Sequence, residues 1–258
     1  MTIHKANNRI TTLADWHEFA PPKQKDIHWV DGRSAMEVAR AWLKEAPERM
    51  PAEVLAVLEE HPAFGPVFSW SAEPEAKLPF DSFAGETRNS DLAVQVTDKH
   101  GSYLLAVEAK ADEPFGDTVE KTLADAERRL QENPKSNGIR RLDQLLRALL
   151  GGAGDNARQL DGLRYQLLTA CAGALCEAER QGYSRTVLLI HEFHTDKTND
   201  TKHRENTEDL NRFVAKLSNG AVTSVKEGQL YGPFFVPGKP LLSARVGLYI
   251  GKVIHRLR

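Results

Sequence analysis

With two cysteines in 258 residues, the chain has too few to build a disulfide framework. Cys171 and Cys176 fall five apart on a predicted helix, so they point to different sides and read as buried thiols rather than a bridge. No apolar run approaches the roughly twenty residues that a membrane span needs, and MTIHKANNRI lacks the apolar centre of a secretory signal. The expectation is a soluble, cytoplasmic protein with no membrane partner. Charge of one sign is missing too: 36 acids against 34 Lys and Arg give a formal −2, which excludes a protein that coats itself on nucleic acid non-specifically. There is no internal repeat, and hence no solenoid or propeller.

Chemistry concentrates in YLLAVEAKADEPFG at 103–116. Tyr103 to Ala109 is apolar on both alternating residue sets, Leu104 and Ala106 on one, Tyr103, Leu105, Val107 and Ala109 on the other, as in a strand covered on both faces. Glu108 and Lys110 at the end of such a strand need a reason, because desolvating an ion costs several kcal/mol unless it is paired or binds metal. Upstream, SDLAVQVT alternates in the period of a half-buried strand, and DKHGS supplies a turn in which Gly101 can take positive φ. If 98–101 form a four-residue loop, Thr97 faces Ser102, and Asp91 falls opposite Glu108 on the face that also carries Lys110. Two carboxylates and a lysine on one face can hold Mg²⁺ while the ammonium orients a water for attack on phosphorus.

This arrangement resembles the PD-(D/E)xK, or restriction-endonuclease-like, nuclease superfamily, whose signature is an acid on one strand and E-x-K on the next. Asp91 and Glu108-Ala109-Lys110 carry the match; Ser90 stands where the signature has proline. The resemblance implies metal ligation by Asp91, Glu108 and the carbonyl of Ala109, with Lys110 beside the attacking water. It also implies Mg²⁺ as cofactor with Mn²⁺ as substitute, DNA as partner, and it admits a homodimer. Some members add an acid from upstream, for which Glu53, Glu59, Glu60, Glu73 and Glu75 are candidates. Some branches place a glutamine on a later helix to hold substrate or water; Gln166 can match it, and it is as readily a polar edge position. The pieces DGRSAMEVARAWL, RNSDLAV, VEAKADEPFG and RYQLL are similar, in that order, to an uncharacterised bacterial family of nuclease-like proteins.

Along the chain, residues 1–30 read as a loosely built arm anchored by Trp16 and Trp29. Ser34 and Glu37 have capping-box spacing ahead of the stripe Val38, Ala39, Trp42, with Pro47 as its stop; Pro51 opens a second helix that Pro62 ends. Phe64 to Trp70 is a predicted strand. After the lysine come a helix with Val119, Leu123, Ala126 and Leu130 inward, a second ended by Gly151, Gly152 and Gly154, and a long one from about Gln159 to Gln181. RTVLLIHEF, 185–193, reads as a buried strand. A helix at about Glu205 to Leu217 follows, and apolar runs at Tyr231 to Val236 and Val246 to Ile254 suggest edge structure.

Weaker constellations remain. His191 and His194 raise zinc, but no further histidine or cysteine follows at ligand spacing, which argues against it. His194, Asn199 and His203 lack the hairpin-then-helix frame of an H-N-H nuclease. Glu113 can reach a second metal or cap the next turn. Arg140, Arg141 and Arg147, or the acid-free stretch Gly238 to Arg258, are candidate phosphate contacts.

The expected fold is α/β, a mixed sheet flanked by helices, with 1–62 as an N-terminal arm and helices packed on a nuclease-like domain at 63–258. The expected function is Mg²⁺-dependent deoxyribonuclease action on phosphodiester bonds, with Asp91, Glu108, Lys110 and Gln166 at the site. The rival expectations are a non-catalytic nucleic-acid- or protein-binding subunit and a purely structural ion cluster.

Overall fold

The structure is a computed structural model and describes residues 1–258 apart from 24, 46–48, 84–88, 153–159, 161 and 258. Pro47, Gly154 and Gln159, expected at helix ends, lie outside the described residues. The chain forms a mixed eight-stranded sheet with helices on both faces. In chain order the elements are β1 Thr2–Lys5, β2 Asn8–Arg9, α1 Leu13–Phe19, α2 Lys25–His28, α3 Ser34–Glu45, α4 Ala52–Glu59, β3 Val67–Lys77, β4 Asn89–Asp98 and β5 Gly101–Lys110. They continue with α5 Val119–Glu132, α6 Gly138–Leu150, α7 Tyr165–Arg180, β6 Arg185–His194, α8 Asp200–Leu217, β7 Gln229–Phe234 and β8 Gly247–Arg256. The strand order is β2-β1-β3-β4-β5-β6-β8-β7.

β3, β4 and β5 form an antiparallel meander, whereas β5, β6 and β8 run parallel. The turn between β4 and β5 is tighter than four residues, since Asp98 itself pairs with Gly101, yet Thr97 faces Ser102 as expected. Gly101 has φ +104°, which only glycine adopts without strain. β5 is buried on both sides as its two apolar sets require. Leu104 and Ala106 pack with α5 to α8, while Tyr103, Leu105, Val107 and Ala109 pack with α3 and α4. Each large side chain so enclosed contributes roughly 1.5–3 kcal/mol. Ala170, Gly173 and Ala174 let α7 lie close on the first of these faces, and all three are buried.

Several expectations are corrected. Residues 1–30 are not a loose arm: β1 pairs in parallel with β3, and α1 buries Trp16 under a capping box of Thr12 and Asp15. Trp29 stacks on His17 with ring centroids 5.1 Å apart. The strand expected at 64–70 is displaced to β3. α5 is capped by Thr118 rather than Asp117, and it buries Val119 and Ala126 while Leu123 and Leu130 stay exposed. The long helix starts only at Tyr165, because the chain before it is extended: Leu163 and Asp117 carbonyls accept from the Val119 and Tyr165 N–H groups at 2.8 and 3.0 Å. The run at 246–254 is not edge structure. β8 lies in the interior between β6 and β7.

At one end of the sheet a buried pair locks β4 to β6: Arg185 reaches Asp98 at 2.5 Å and sits over the rings of Phe64 and Tyr103 at 4.9 and 4.7 Å. The opposite end collects the C-termini of the parallel strands, where open α/β sheets bind their ligands.

No helix among the described residues is long and apolar enough to cross a membrane.

Candidate metal centre and cleft

The paired ladder of β4 and β5 ends at Leu92 and Val107. One step beyond, in the same register, Asp91 falls opposite Glu108. There the acid takes over from the backbone: its Oδ2 accepts from the Ala109 N–H at 2.7 Å, meeting a donor that the ladder would otherwise leave unpaired. Ser90, in the place of the signature proline, closes the same fraying end by donating its hydroxyl to the carbonyls of Leu92 and Val107, both at 3.1 Å.

Glu108 and Lys110 are 1% and 6% exposed. Lys110 Nζ lies 3.2 Å from Glu108 Oε1 and donates to Gln166 Oε1 at 3.1 Å, and Gln166 Nε2 donates back to Glu108 Oε1. Gln166 is thus the third member of a closed ring of hydrogen bonds. Its position in the first turn of α7 makes this possible. Phe115 backs the amine, with Nζ 5.1 Å from its ring centroid.

Asp91 and Gln166 line a cleft of about 1110 Å³, together with Glu75, Arg129, Lys135 and Arg141. Glu75 is the upstream acid that spacing alone did not single out. It lies on β3 between Pro74 and Ala76, which pair with Leu92 and Ser90, so it stands beside Asp91. Its φ is +46°, an unusual conformation for a residue with a side chain. Of the other upstream acids, Glu73 pairs with Lys5, Glu59 holds the Val67 N–H, and Glu53 lies across the sheet; none of these three, nor Glu60, lines the cleft. The donors at this end are oxygens, the carboxylates of Glu75, Asp91 and Glu108 with the carbonyl of Ala109, the donor type that suits a hard cation such as Mg²⁺. Among the described residues these three carboxylates do not all lie within 4.8 Å of one another, so they would have to draw together to share an ion.

Glu113 does the local work of a turn. Its carboxylate accepts from the Ala111 N–H at 2.9 Å and from the N–H and hydroxyl of Ser34 at 3.3 Å. Burial pushes its pKa up, but those N–H groups and Lys110 outweigh burial and hold it below the ordinary carboxylate value.

The candidate phosphate contacts divide. Arg141 lines the cleft, held by Asp81 at 2.6 Å, while Arg147 pairs with Asp143 in solvent. The acid-free C-terminal stretch is no basic tail: Lys252 is buried and donates to Thr207, Arg256 is clamped by Glu227, and Arg245 lies over Phe235 at 3.8 Å.

Two clusters that spacing concealed lie near the same end of the sheet. On the Lys110 face, Glu192 Oε1 lies 2.7 Å from His203 Nδ1, and His194 stacks on His203 with centroids 3.8 Å apart. Asn199, suggested for an H-N-H motif, is the N-cap of α8. On the opposite face Glu53 Oε1 lies 3.0 Å from His191 Nε2 and 2.6 Å from His255 Nδ1. Burial depresses the pKa of His191 despite Glu53; burial alone would raise Glu53, but hydrogen bonds from both histidines hold it well below the ordinary range. A partner 64 residues downstream (255 against 191) leaves no local spacing signal.

No curated protein and no solved structure matches the chain. A family model described as a domain of unknown function (DUF6946) matches residues 9–256, and the chain belongs to that family.

Proposed function

We propose that the protein is a divalent-metal-dependent nuclease of the PD-(D/E)xK kind, hydrolysing phosphodiester bonds in DNA. The observation that carries the proposal is the placement of Asp91 and Glu108-Ala109-Lys110 on adjacent antiparallel strands, in one register, at the end of the sheet that borders the cleft. Asp91, Glu108, the Ala109 carbonyl and Glu75 would hold Mg²⁺, or Mn²⁺ in its place. When bound, such an ion polarises a phosphoryl oxygen and makes water a stronger nucleophile. Lys110 is fixed by Glu108 and Gln166, so its ammonium is oriented before substrate arrives, at little cost in side-chain entropy. Arg129, Lys135 and Arg141 on the cleft wall offer phosphate contacts, while Asp117, Asp125 and Glu132 on the same wall limit how far a polyanion is drawn in by charge alone.

A second reading, a DNA-binding module without catalysis, is favoured by one observation: Glu108 and Lys110 are nearly closed off beneath Gln166 and already satisfy each other. One experiment separates the two. Supercoiled and single-stranded DNA are incubated with the protein and Mg²⁺ or Mn²⁺ across a salt series, beside Lys110→Ala. The nuclease gives metal-dependent cleavage that falls about a hundredfold or more in the variant, with DNA affinity within a few-fold. Metal-independent binding without cleavage, equal in both proteins, establishes the binding module instead.

A further inference from the structure

α4, β6 and β8 bring Glu53, His191 and His255 together on the face of the sheet turned away from Lys110. One candidate ligand atom from each lies within 4.8 Å of the others. Both histidines address the same carboxylate oxygen, at 3.0 and 2.6 Å. We propose that this is a binding site for a divalent transition-metal ion, Zn²⁺ by preference, with Glu53, His191 and His255 as its protein ligands and a further position open to water.

Ring geometry separates this cluster from the other histidine–glutamate group. An ion at about 2.0–2.1 Å from two imidazole nitrogens holds the rings well apart and leaves their planes free to cross. His191 and His255 have centroids 6.1 Å apart and planes at 82°. His194 and His203 are stacked at 3.8 Å and 22°, so they would have to splay before sharing an ion. In the first cluster both imidazoles already converge on one carboxylate oxygen, and an ion would need only to open the 3.0 and 2.6 Å contacts by a few tenths of an ångström.

Donor chemistry sets the metal. Two imidazoles and one carboxylate match zinc and its neighbours in the transition series, whereas Mg²⁺ prefers oxygen alone. The two faces of the sheet would therefore sort two kinds of cation.

Access is also provided. The His191 side chain is fully enclosed, but those of Glu53 and His255 are 24% and 23% exposed, so the group opens at the surface on one side. Phe193 closes the other side, 4.3 Å from the His191 ring and 5.8 Å from that of His255, which keeps the imidazoles in place and the inner wall dry. His191 Nδ1 is buried without a hydrogen-bond partner, so packing rather than an outer carboxylate orients that ring. Three protein ligands with an exposed side correspond to sites that keep water on the metal. The ion would also pin α4 to β6 and β8.

The test uses the whole protein, stripped with chelator and then titrated with Zn²⁺ by calorimetry and with Co²⁺ by visible absorption. The expected result is one saturable Zn²⁺ per chain at this site and the intense visible bands of low-symmetry Co²⁺. Glu53→Gln and His255→Ala should each weaken Zn²⁺ by more than about a hundredfold, beyond the 10–100-fold typical of outer-shell changes. Glu192→Gln and His203→Ala should stay within a few-fold. Thermal unfolding gives a second readout: Zn²⁺ should raise the midpoint of the wild type but not of His255→Ala, whose folding is checked by circular dichroism. No saturable uptake, uptake that survives both Glu53→Gln and His255→Ala, or uptake lost in His203→Ala instead, overturns the proposal. DNA cleavage is not among the readouts, so the outcome is independent of the nuclease proposal.

Discussion

Lys110 and Glu192 stand directly opposite each other on the parallel strands β5 and β6. That pairing sets the Glu108–Lys110–Gln166 ring beside the Glu192–His203–His194 group on one face. Asp91 and Lys252 flank them, the latter with Nζ 3.7 Å from Glu192 Oε2. Charge of both signs therefore runs across four strands, buried on β5, β6 and β8 and half-buried at Asp91 on β4, and the buried part is costly to maintain.

The first prediction concerns that cost. Lys110→Met alone leaves the Glu108 carboxylate buried beside an apolar chain and should destabilise by about 3–5 kcal/mol, whereas Glu108→Leu with Lys110→Met should be close to neutral. Denaturant unfolding of the single and double variants measures both. A double variant as unstable as the single one would mean that the pair is kept for stability rather than for chemistry.

At Glu75 the backbone and the carboxylate can be separated. Glycine adopts φ +46° without strain, so Glu75→Gly should hold stability within about 1 kcal/mol while removing one oxygen donor. Mn²⁺ titration should then show weaker binding in the cleft. Unchanged Mn²⁺ affinity would remove Glu75 from the donor set.

Arg185 supplies a prediction about the fold alone. Arg185→Ala strands Asp98, which is 3% exposed, without its cation, and should cost about 3–5 kcal/mol. Asp98→Asn in the same background should recover part of it, since the stranded group is then uncharged. Equal stability of Arg185→Ala and wild type would show that the two rings, not the ion pair, hold this end together.

Acid should destabilise the metal-free protein in two stages. Burial holds His61, His191 and His194 below the ordinary 6.5, so the unfolded chain binds protons first. The stability these groups contribute is complete above about pH 6.5 and is lost as pH falls through that value towards the folded ones. Glu53 and Glu113, depressed from 4.5, add a second loss below that pH. Thermal midpoints across pH 8 to about 3 test this; a midpoint that rises between pH 7 and 5 contradicts it.

Local pattern carried the hairpin: alternation in SDLAVQVT and double-sided apolarity in YLLAVEAK placed Asp91, Glu108 and Lys110 on one face in the register observed. Gln166 was offered by the resemblance alone, on equal terms with a polar edge position; it reaches Lys110 and Glu108 because α7 begins at Tyr165 and not near Gln159. Glu75 was not legible, since five acids of equal chemical merit precede the hairpin and a positive φ leaves no composition signal. Both histidine clusters were hidden for a different reason. Ligand spacing detects residues on one element, while His191 meets its partners from α4 and β8, and His194 meets His203 only because α8 begins at Asp200 rather than near Glu205. The basic C-terminal stretch misled because charge count says nothing about whether a strand is interior.

The mixed sheet also implies an order of assembly. β3, β4 and β5 follow one another directly in the chain, β4 and β5 through a tight turn, and can pair while the rest of the chain is still a coil, but β6 reaches β5 only after the whole α5–α7 segment has been closed into a loop, at a larger loss of chain entropy. Asp91, Glu108 and Lys110 would therefore meet early, in water. Gln166, Glu192 and the histidines would arrive with the late crossover, which makes dehydration of the charged cluster part of the final cooperative step of folding.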